Sequence, residues 1–415
     1  YDIVITGGGM VGSAMAASLG HSKLFEEKRI LLLESGPKVL LDKTPDKYSS
    51  QVCSLSGATK DLLNSFCAWD KILRLQPVKH MRIWDSCSDV GITFNHKPDS
   101  GEYLAHVAEN NLIVSAIVNR LLETKVEIRY KAKVKSYILN GGDDPKIVLD
   151  DGDVLKAKLL IGADGVNSLL RKSCNISTVA WPYQQTAVVS VVHIFEVLNN
   201  NTAWQRFLPT GPIALLPLSN QFSCLIWTTT PSEAKRLLSI GAEDFVSEVN
   251  TAYLCEKDSN EFTARLTSCV KQFLSTTGLG QCSVKQLPPK VVGVDEGSRK
   301  SFPLTLCHSN YYVKNKIALI GDAAHRVHPL SGQGVNLGFG DVISLAKVLE
   351  EAVLRGEELG NIRTLARYET DRQRSVLPMM ATIDFLNRFY SNDLSPLVLM
   401  RSLGCQVADA VPFIK

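Results

Sequence analysis

The chain has 415 residues, 45% of them hydrophobic and 21% charged, which is enough for two or three domains around a large core. Lys and Arg number 45 against 42 Asp and Glu; this net charge of +3, without a basic block, excludes an electrostatic claim on nucleic acid. The ten cysteines form no CxxC pair and are expected as reduced thiols, and no run of 18 apolar residues is present to span a membrane.

Tyr1 opens directly onto a strand, so any targeting segment is expected to precede this chain. Asp2 to Thr6 is a short β-branched strand running into Gly7-Gly8-Gly9-Met10-Val11-Gly12. A helix of small and apolar residues follows, near Val11 to Leu19, and then a strand, Arg29 to Leu33, ending at Glu34. Ser54 to Trp69 reads as helical, Met81 to Phe94 as strands, Asn111 to Glu123 as an amphipathic helix, and Val126 to Asp151 as strand and hairpin. Thr186 to Val197, Ala203 to Leu208, Ile213 to Leu218 and Phe222 to Thr229 form an antiparallel meander, with turns at Pro209-Thr210-Gly211 and Ser219-Asn220-Gln221. Glu233 to Ala252 and Glu261 to Thr276 are expected helices; Ile317 to Ile320 is a last strand before a mostly helical C-terminal part.

The fold class is therefore α/β. A discontinuous Rossmann-like nucleotide domain (residues 1–75, 100–180 and 297–350) carries an inserted antiparallel-sheet substrate domain (76–99 and 181–296) and a C-terminal helical region (351–415).

Gly7-x-Gly9-x-x-Gly12 lies between strand and helix, the context in which these glycines have separate tasks. Gly7 permits the tight turn, Gly9 lets a pyrophosphate approach the backbone, and Gly12 lets helix and strand pack closely. The helix start offers free N–H groups to phosphate. Glu34, 22 residues after Gly12, is placed to accept both hydroxyls of a ribose. This motif alone leaves NAD and FAD open. Two further motifs bear on the choice: Gly162-Ala163-Asp164-Gly165 after one apolar strand, and Gly321-Asp322 after another. Asp322 at a strand end suits a sugar-alcohol hydroxyl, which the ribityl chain of a flavin has and NAD lacks. The loop from Pro329 to Asn336 opens another helix, whose start suits the negative charge of a reduced flavin.

The trio GGGMVG, GADGVNSLLR and GDAAHRVHPLSGQGVNLGFGD resembles the class A flavoprotein monooxygenases, the group with the 4-hydroxybenzoate hydroxylase fold. The segments AHRVHPLSGQGVN, NTAWQRFLPTGPIALLPLS and PLVLMRSLGCQVADAVPFIK are similar, more narrowly, to the mitochondrial flavin monooxygenases of ubiquinone biosynthesis. The resemblance covers the chain from Tyr1 to Lys415. It implies non-covalent FAD held by Gly7, Gly9, Gly12, Glu34, Asn110, Asp164, Gly165, Gly321 and Asp322. Pro329 and the Gly332, Gln333, Gly334, Val335, Asn336 loop are then expected against the isoalloxazine. It further implies O2 and a polyprenylated 4-hydroxybenzoate as substrates, hydroxylation ortho to the phenol oxygen, and attachment to the matrix side of the mitochondrial inner membrane among other enzymes of the pathway. Such an enzyme reduces FAD, adds O2 at flavin C4a and transfers the distal oxygen to the ring. The family usually has an arginine in the segment Ser49 to Leu55, where this chain has Gln51; the resemblance implies ferredoxin with its reductase as electron donor, and the lost charge weakens a direct route from NADPH.

For the substrate pocket the expected wall is the antiparallel insert, with Trp204, Phe207, Ile213, Leu215, Phe222, Leu225 and Trp227, any one of which reads equally as sheet core. Arg206 and Arg326 are candidate anion partners, with surface arginine as the alternative. His325 and His328 form an HxxH in a Gly/Pro-rich turn with no third ligand, so no metal is expected; they read as loop-packing residues, His328 next to the substrate. Two other functions share the general pattern: a flavin reductase that inserts no oxygen, and a non-catalytic escort of prenylated proteins of the GDI type. Ser395 to Val411 is an amphipathic helix with Met400 on its apolar face and Arg401 at the edge, suited to membrane or partner docking or to this protein's own core.

Overall fold

The computed structural model describes residues 1–86, 91–96, 103–140, 143–195, 198–254, 286–391 and 400–401. The segment Ile3–Thr6 is apolar on both faces and wholly buried, as befits a central parallel strand. It pairs in parallel with Ile30–Leu33 on one side and Leu159–Gly162 on the other. Glu127–Arg129 and Ile317–Leu319 extend this sheet, and Val313–Lys314 closes it antiparallel, six strands among the described residues. The small-residue helix Met10–His21 packs between this sheet and the helices Asn110–Leu121 and Gly334–Leu354. The carboxyl ends of the three central strands bring Gly7, Glu34 and Ala163-Asp164 to one edge, the usual ligand side of such a sheet.

The second large sheet has nine strands among the described residues. Its middle is the antiparallel run Thr178–Ile194, Phe222–Thr229, Gly211–Pro217 and Thr202–Leu208, and His80–Asp85 then joins in parallel. Two features depart from the sequence expectation. Thr178–Ile194 starts at Thr178, not Thr186, and it pairs along its length with Lys300–Ser309, a strand not anticipated and placed above with the nucleotide domain. The extra length was hidden by a bulge: the register shifts between Pro182 and Thr186, and Gln184 sits at φ 54°.

Three smaller differences have local causes. Val52–Leu55 is a strand paired with Ala105–Glu109, and the helix expected from Ser54 starts at Gly57, capped by the Ser56 hydroxyl. The helix expected over Glu233 to Ala252 is two helices, Pro231–Ser239 and Ala242–Leu254, broken where Ile240 turns extended before Gly241. Glu261 to Thr276 lies outside the described residues, as does Ser395 to Val411 apart from Met400 and Arg401. Of those two, Met400 is exposed and Arg401 is buried, its guanidinium 2.5 Å from Asp85.

Candidate active site

The glycine turn divides into packing and access. A Cβ on Gly7, which has φ 103°, would lie 2.3 Å from the Ala163 carbonyl oxygen, and one on Gly12 would lie 1.9 Å from the Gly7 oxygen. Gly9 is different: a Cβ there meets nothing within 4 Å. It stands at the start of the helix Met10–His21, with free N–H groups beside open space. Glu34 closes the crease, accepting from the Gly8 and Gly36 N–H groups at 2.5 Å each.

Two more carboxylates mark the same cleft. Asp164 Oδ2 accepts from the Leu169 and Leu170 N–H groups at 2.8 and 3.2 Å, whereas its Oδ1 is buried without a protein partner. Gly165 follows at φ 76°. Asp322 is reached by solvent yet crowded by protein; burial raises its carboxyl above the usual range, opposed by Arg326 and His325. A carboxylate that is crowded and still accessible suits buried sugar hydroxyls. Open backbone N–H groups, Glu34, the orphan oxygen of Asp164 and the crowded but exposed Asp322 together fit FAD.

The Pro329 loop is held mainly by its own residues. Gly332 ends a short 3-10 turn in the left-handed region, φ 63°, and a Cβ there would be 3.5 Å from Ser54. Gly332 to Asn336 are half-buried before the helix Gly334–Leu354 sinks into the core. Asn336 was expected against the flavin, but its amide serves the protein: Oδ1 accepts from Ser56 N–H and the Thr59 hydroxyl at 3.0 and 2.8 Å, and Nδ2 donates to the Ser54 carbonyl at 2.8 Å. Asn110 donates its backbone N–H to the Gln51 carbonyl at 3.0 Å, bracing the segment in which Gln51 itself is exposed.

Sequence reasoning missed the supports underneath. Asp341, fully buried, accepts from Gly321 N–H at 2.8 Å, lies 2.7 Å from His325 Nε2, and pairs with Arg372 at 2.7 Å. Arg171 donates to the carbonyls of Val166 and Ala323, tying the Asp164 turn to the Asp322 turn. Asp341 ends the third motif and Arg171 the second, so their place in the motifs was the available signal. Arg372 had none.

The expected pocket wall needs correction. Trp204, Ile213, Leu215, Leu225 and Trp227 pack with Leu237, Phe245, Val249 and Tyr253 of the two helices behind the sheet. Arg206 is buried on that side too, donating to the Ala252 carbonyl at 2.9 Å, so it is neither a surface arginine nor a cleft cation. The opposite face looks to the cleft. Of the named wall residues, Phe207 stands there, clustered with Val327, Leu330 and Leu337, and Phe222 packs with Tyr48 and Val52 beside it. Alternation declares that a strand has two faces; it does not say which one a pair of helices will cover.

The two histidines are structural supports of the loop. His325 is taken up by Asp341. His328 is fully buried: its Nδ1 accepts from Leu330 N–H at 3.1 Å, its Nε2 faces Gln185 Oε1 at 3.3 Å, and Tyr183 stands edge-on to the ring at 4.9 Å. The bulge near Gln184 is what turns Tyr183 and Gln185 toward it. Arg326 reaches the Thr305 hydroxyl at 3.4 Å.

Comparison with known proteins agrees with this architecture. The FAD binding domain family matches residues 1–269 and 285–382. The mitochondrial ubiquinone biosynthesis monooxygenase COQ6 of Xenopus tropicalis is 46% identical over 426 residues, covering 100% of this chain and 91% of the relative. That of Homo sapiens is 44% identical with the same two coverages, 100% and 91%. Among solved structures, p-nitrophenol 4-monooxygenase PnpA from Pseudomonas putida DLL-E4 superposes with a TM-score of 0.71 at 18% identity, over 100% of this chain and 95% of that one. P. aeruginosa PqsL in complex with 2-aminobenzoylacetate gives 0.71 at 17% identity, over 97% and 98%. Those two share the fold. With relatives nearly half identical from end to end, the chain belongs to the FAD-dependent ubiquinone biosynthesis monooxygenases.

Proposed function

We propose that this enzyme hydroxylates the ring of a polyprenylated 4-hydroxybenzoate, ortho to the phenol oxygen, during ubiquinone biosynthesis in the mitochondrion. The observation that carries the reading is the largely apolar sheet face, with Phe207, that packs beside the Pro329–Asn336 loop, an apolar border suited to a flat ring. FAD, when bound, supplies the oxygen-activating chemistry. The chain's own residues bind and orient. Gly9, Glu34, Asp164 and Asp322 hold the cofactor, with Gly7, Gly12, Gly165 and Gly321 shaping the turns. Pro329 and Gly332 to Val335 border its ring system, while Asn336, His328 and Asn110 position those segments. Phe207 borders the substrate slot. The nucleotide domain comprises residues 1–75, 100–177 and 297–350 without the strand Lys300–Ser309, which goes with Thr178–Ile194 in the substrate sheet.

Electrons arrive from a ferredoxin and its reductase in preference to NADPH, since Gln51 supplies no charge for a nicotinamide nucleotide. The enzyme works at the matrix face of the inner membrane, where its substrate resides, beside other enzymes of the pathway. No helix of the described residues is long and apolar enough to cross a membrane.

Turnover of the holoenzyme with reduced ferredoxin, labelled O2 and a geranylated 4-hydroxybenzoate decides the reaction by product mass. One labelled oxygen gained is expected; a product changed by hydrogens alone sinks the assignment. Anaerobic mixing tests the donor: reduced ferredoxin bleaches the flavin faster than NADPH, and the reverse order removes the ferredoxin proposal.

A further inference from the structure

The strand Thr202–Leu208 alternates strictly. Trp204 and Arg206 point to the helices behind the sheet, while Ala203 and Phe207 point to the cleft. Gln205, between them, therefore faces the cleft. It is half-buried although both chain neighbours are buried, and its cross-strand partners on the same face, Ile83 and Ala214, are half-buried as well. Ile226, paired with Ala214, continues the row. On one side of this row lies the cluster of Phe207 with Val327, Leu330 and Leu337; on the other lies the cluster of Ala203 with Val78, Val107 and Val191. Gln205 thus stands between the two clusters, with Ile83 of its row packed against the first and Ile226 against the second.

Its chemistry is out of place for a packing residue. The amide makes no side-chain hydrogen bond to any described residue, and its neighbours in the row are aliphatic. A half-buried side chain with two donors and an acceptor, set in an aliphatic row, is matched to a small polar group on a ligand. We propose that Gln205 is the substrate-orienting residue of this site: its amide hydrogen-bonds the phenol oxygen of the ring and so fixes which ring carbon is presented for hydroxylation. The phenol oxygen is favoured over the ring carboxylate because the cleft-facing residues of His80–Asp85, Thr202–Leu208, Gly211–Pro217 and Phe222–Thr229 include no Lys or Arg. Asp85, at the end of this face, is already paired with Arg401. This inference rests on the hydroxybenzoate reading above.

The test compares two ligands on the FAD-loaded enzyme: geranylated 4-hydroxybenzoate and the same compound without its phenol hydroxyl. Binding is followed by flavin fluorescence. The wild type is expected to prefer the hydroxylated ligand about ten-fold, the worth of one neutral hydrogen bond in a confined site. Gln205→Leu and Gln205→Met should abolish that preference by weakening the first ligand alone, with FAD content and melting temperature unchanged. Reduced enzyme of either variant should also divert more O2 to hydrogen peroxide, because a misoriented ring accepts oxygen poorly. Equal preference in wild type and in a folded variant overturns the assignment. So does a uniform loss of both ligands, which marks Gln205 as mere packing. Failure of the hydroxybenzoate reading is seen separately, as wild-type enzyme that forms no oxygenated product.

Discussion

Arg372 Nε lies 2.7 Å from Asp341 Oδ1, and the pair sits out of water beneath the Gly321-Asp322 turn. The other oxygen of Asp341 accepts from Gly321 N–H, so the ion pair is coupled to the backbone that presents Asp322. Removing one member strands a buried charge, which costs about 3–5 kcal/mol, whereas a pair replaced whole can be neutral. Arg372→Met and Asp341→Asn should each lower stability by that order and reduce flavin content. Chemical denaturation and the flavin-to-protein absorbance ratio measure both. A variant with full flavin and an unmoved midpoint would show the pair to be incidental.

Asp322 itself is expected to act on the cofactor and not on the fold. Its carboxyl is accessible in the cleft, and a charged hydrogen bond is worth about 1.5–3 kcal/mol. Asp322→Ala should weaken FAD binding roughly ten- to hundred-fold, and Asp322→Asn less, since an amide oxygen still accepts. Titration of the apoprotein with FAD reads this directly. Undiminished affinity in the alanine variant would take Asp322 out of the site.

What the sequence disclosed and what it hid follow one physical line. Gly7, Gly9, Gly12, Asp164 and Asp322 were legible because their positions are set within a single strand–turn–helix, where local conformation decides the outcome. Trp204, Leu215 and Trp227 were placed on the wrong side because a strand buried on both faces has no polar stripe to mark the outside. The choice belongs to the helices Pro231–Ser239 and Ala242–Leu254, which settle on one face. Arg372 is 31 residues from Asp341, and only the docking of the long helix Ile362–Tyr390 brings it there. Lys300–Ser309 escaped notice because its register carries a bulge and its first four residues are exposed, which blurs the alternation.

His328 should make stability depend on pH. Burial holds its imidazole neutral and pushes its pKa from 6.5 down to about 4, against the pull of Asp384. Between those values the unfolded chain binds a proton that the native protein refuses. The stability this contributes is complete above pH about 6.5 and is lost as pH falls toward about 4, up to roughly 3 kcal/mol. His328→Gln does not titrate, so its unfolding free energy should fall less steeply over that window than the wild type's. Denaturant midpoints at several pH values compare the slopes. Parallel slopes would mean that the ring is protonated, or solvated, in the native state.

Gly9 and Gly12 should separate cofactor binding from folding, although they belong to one motif. A methyl group on Gly12 meets the Gly7 carbonyl at 1.9 Å, backbone against backbone, in the contact that seats the helix Met10–His21 on its strand. Nothing there is a flexible side-chain end, so the helix must shift, and overpacking of this kind costs about 1–3 kcal/mol or more. Gly12→Ala is thus expected to melt early with or without FAD. Gly9 has φ −68°, a conformation open to any residue, and a methyl group there meets nothing within 4 Å. Replacing glycine by alanine at this helix cap costs the apoprotein up to about 1 kcal/mol, since alanine is the poorer cap. The same methyl group would occupy the space through which a pyrophosphate approaches the helix N-terminus. Gly9→Ala should therefore lower the apoprotein melting temperature far less than Gly12→Ala does, while binding FAD at least about ten times more weakly. Calorimetric titration of the two apoproteins provides the comparison. Wild-type affinity in Gly9→Ala would move the phosphates away from this turn, and a melting temperature lowered as far as in Gly12→Ala would make Gly9 a packing glycine too.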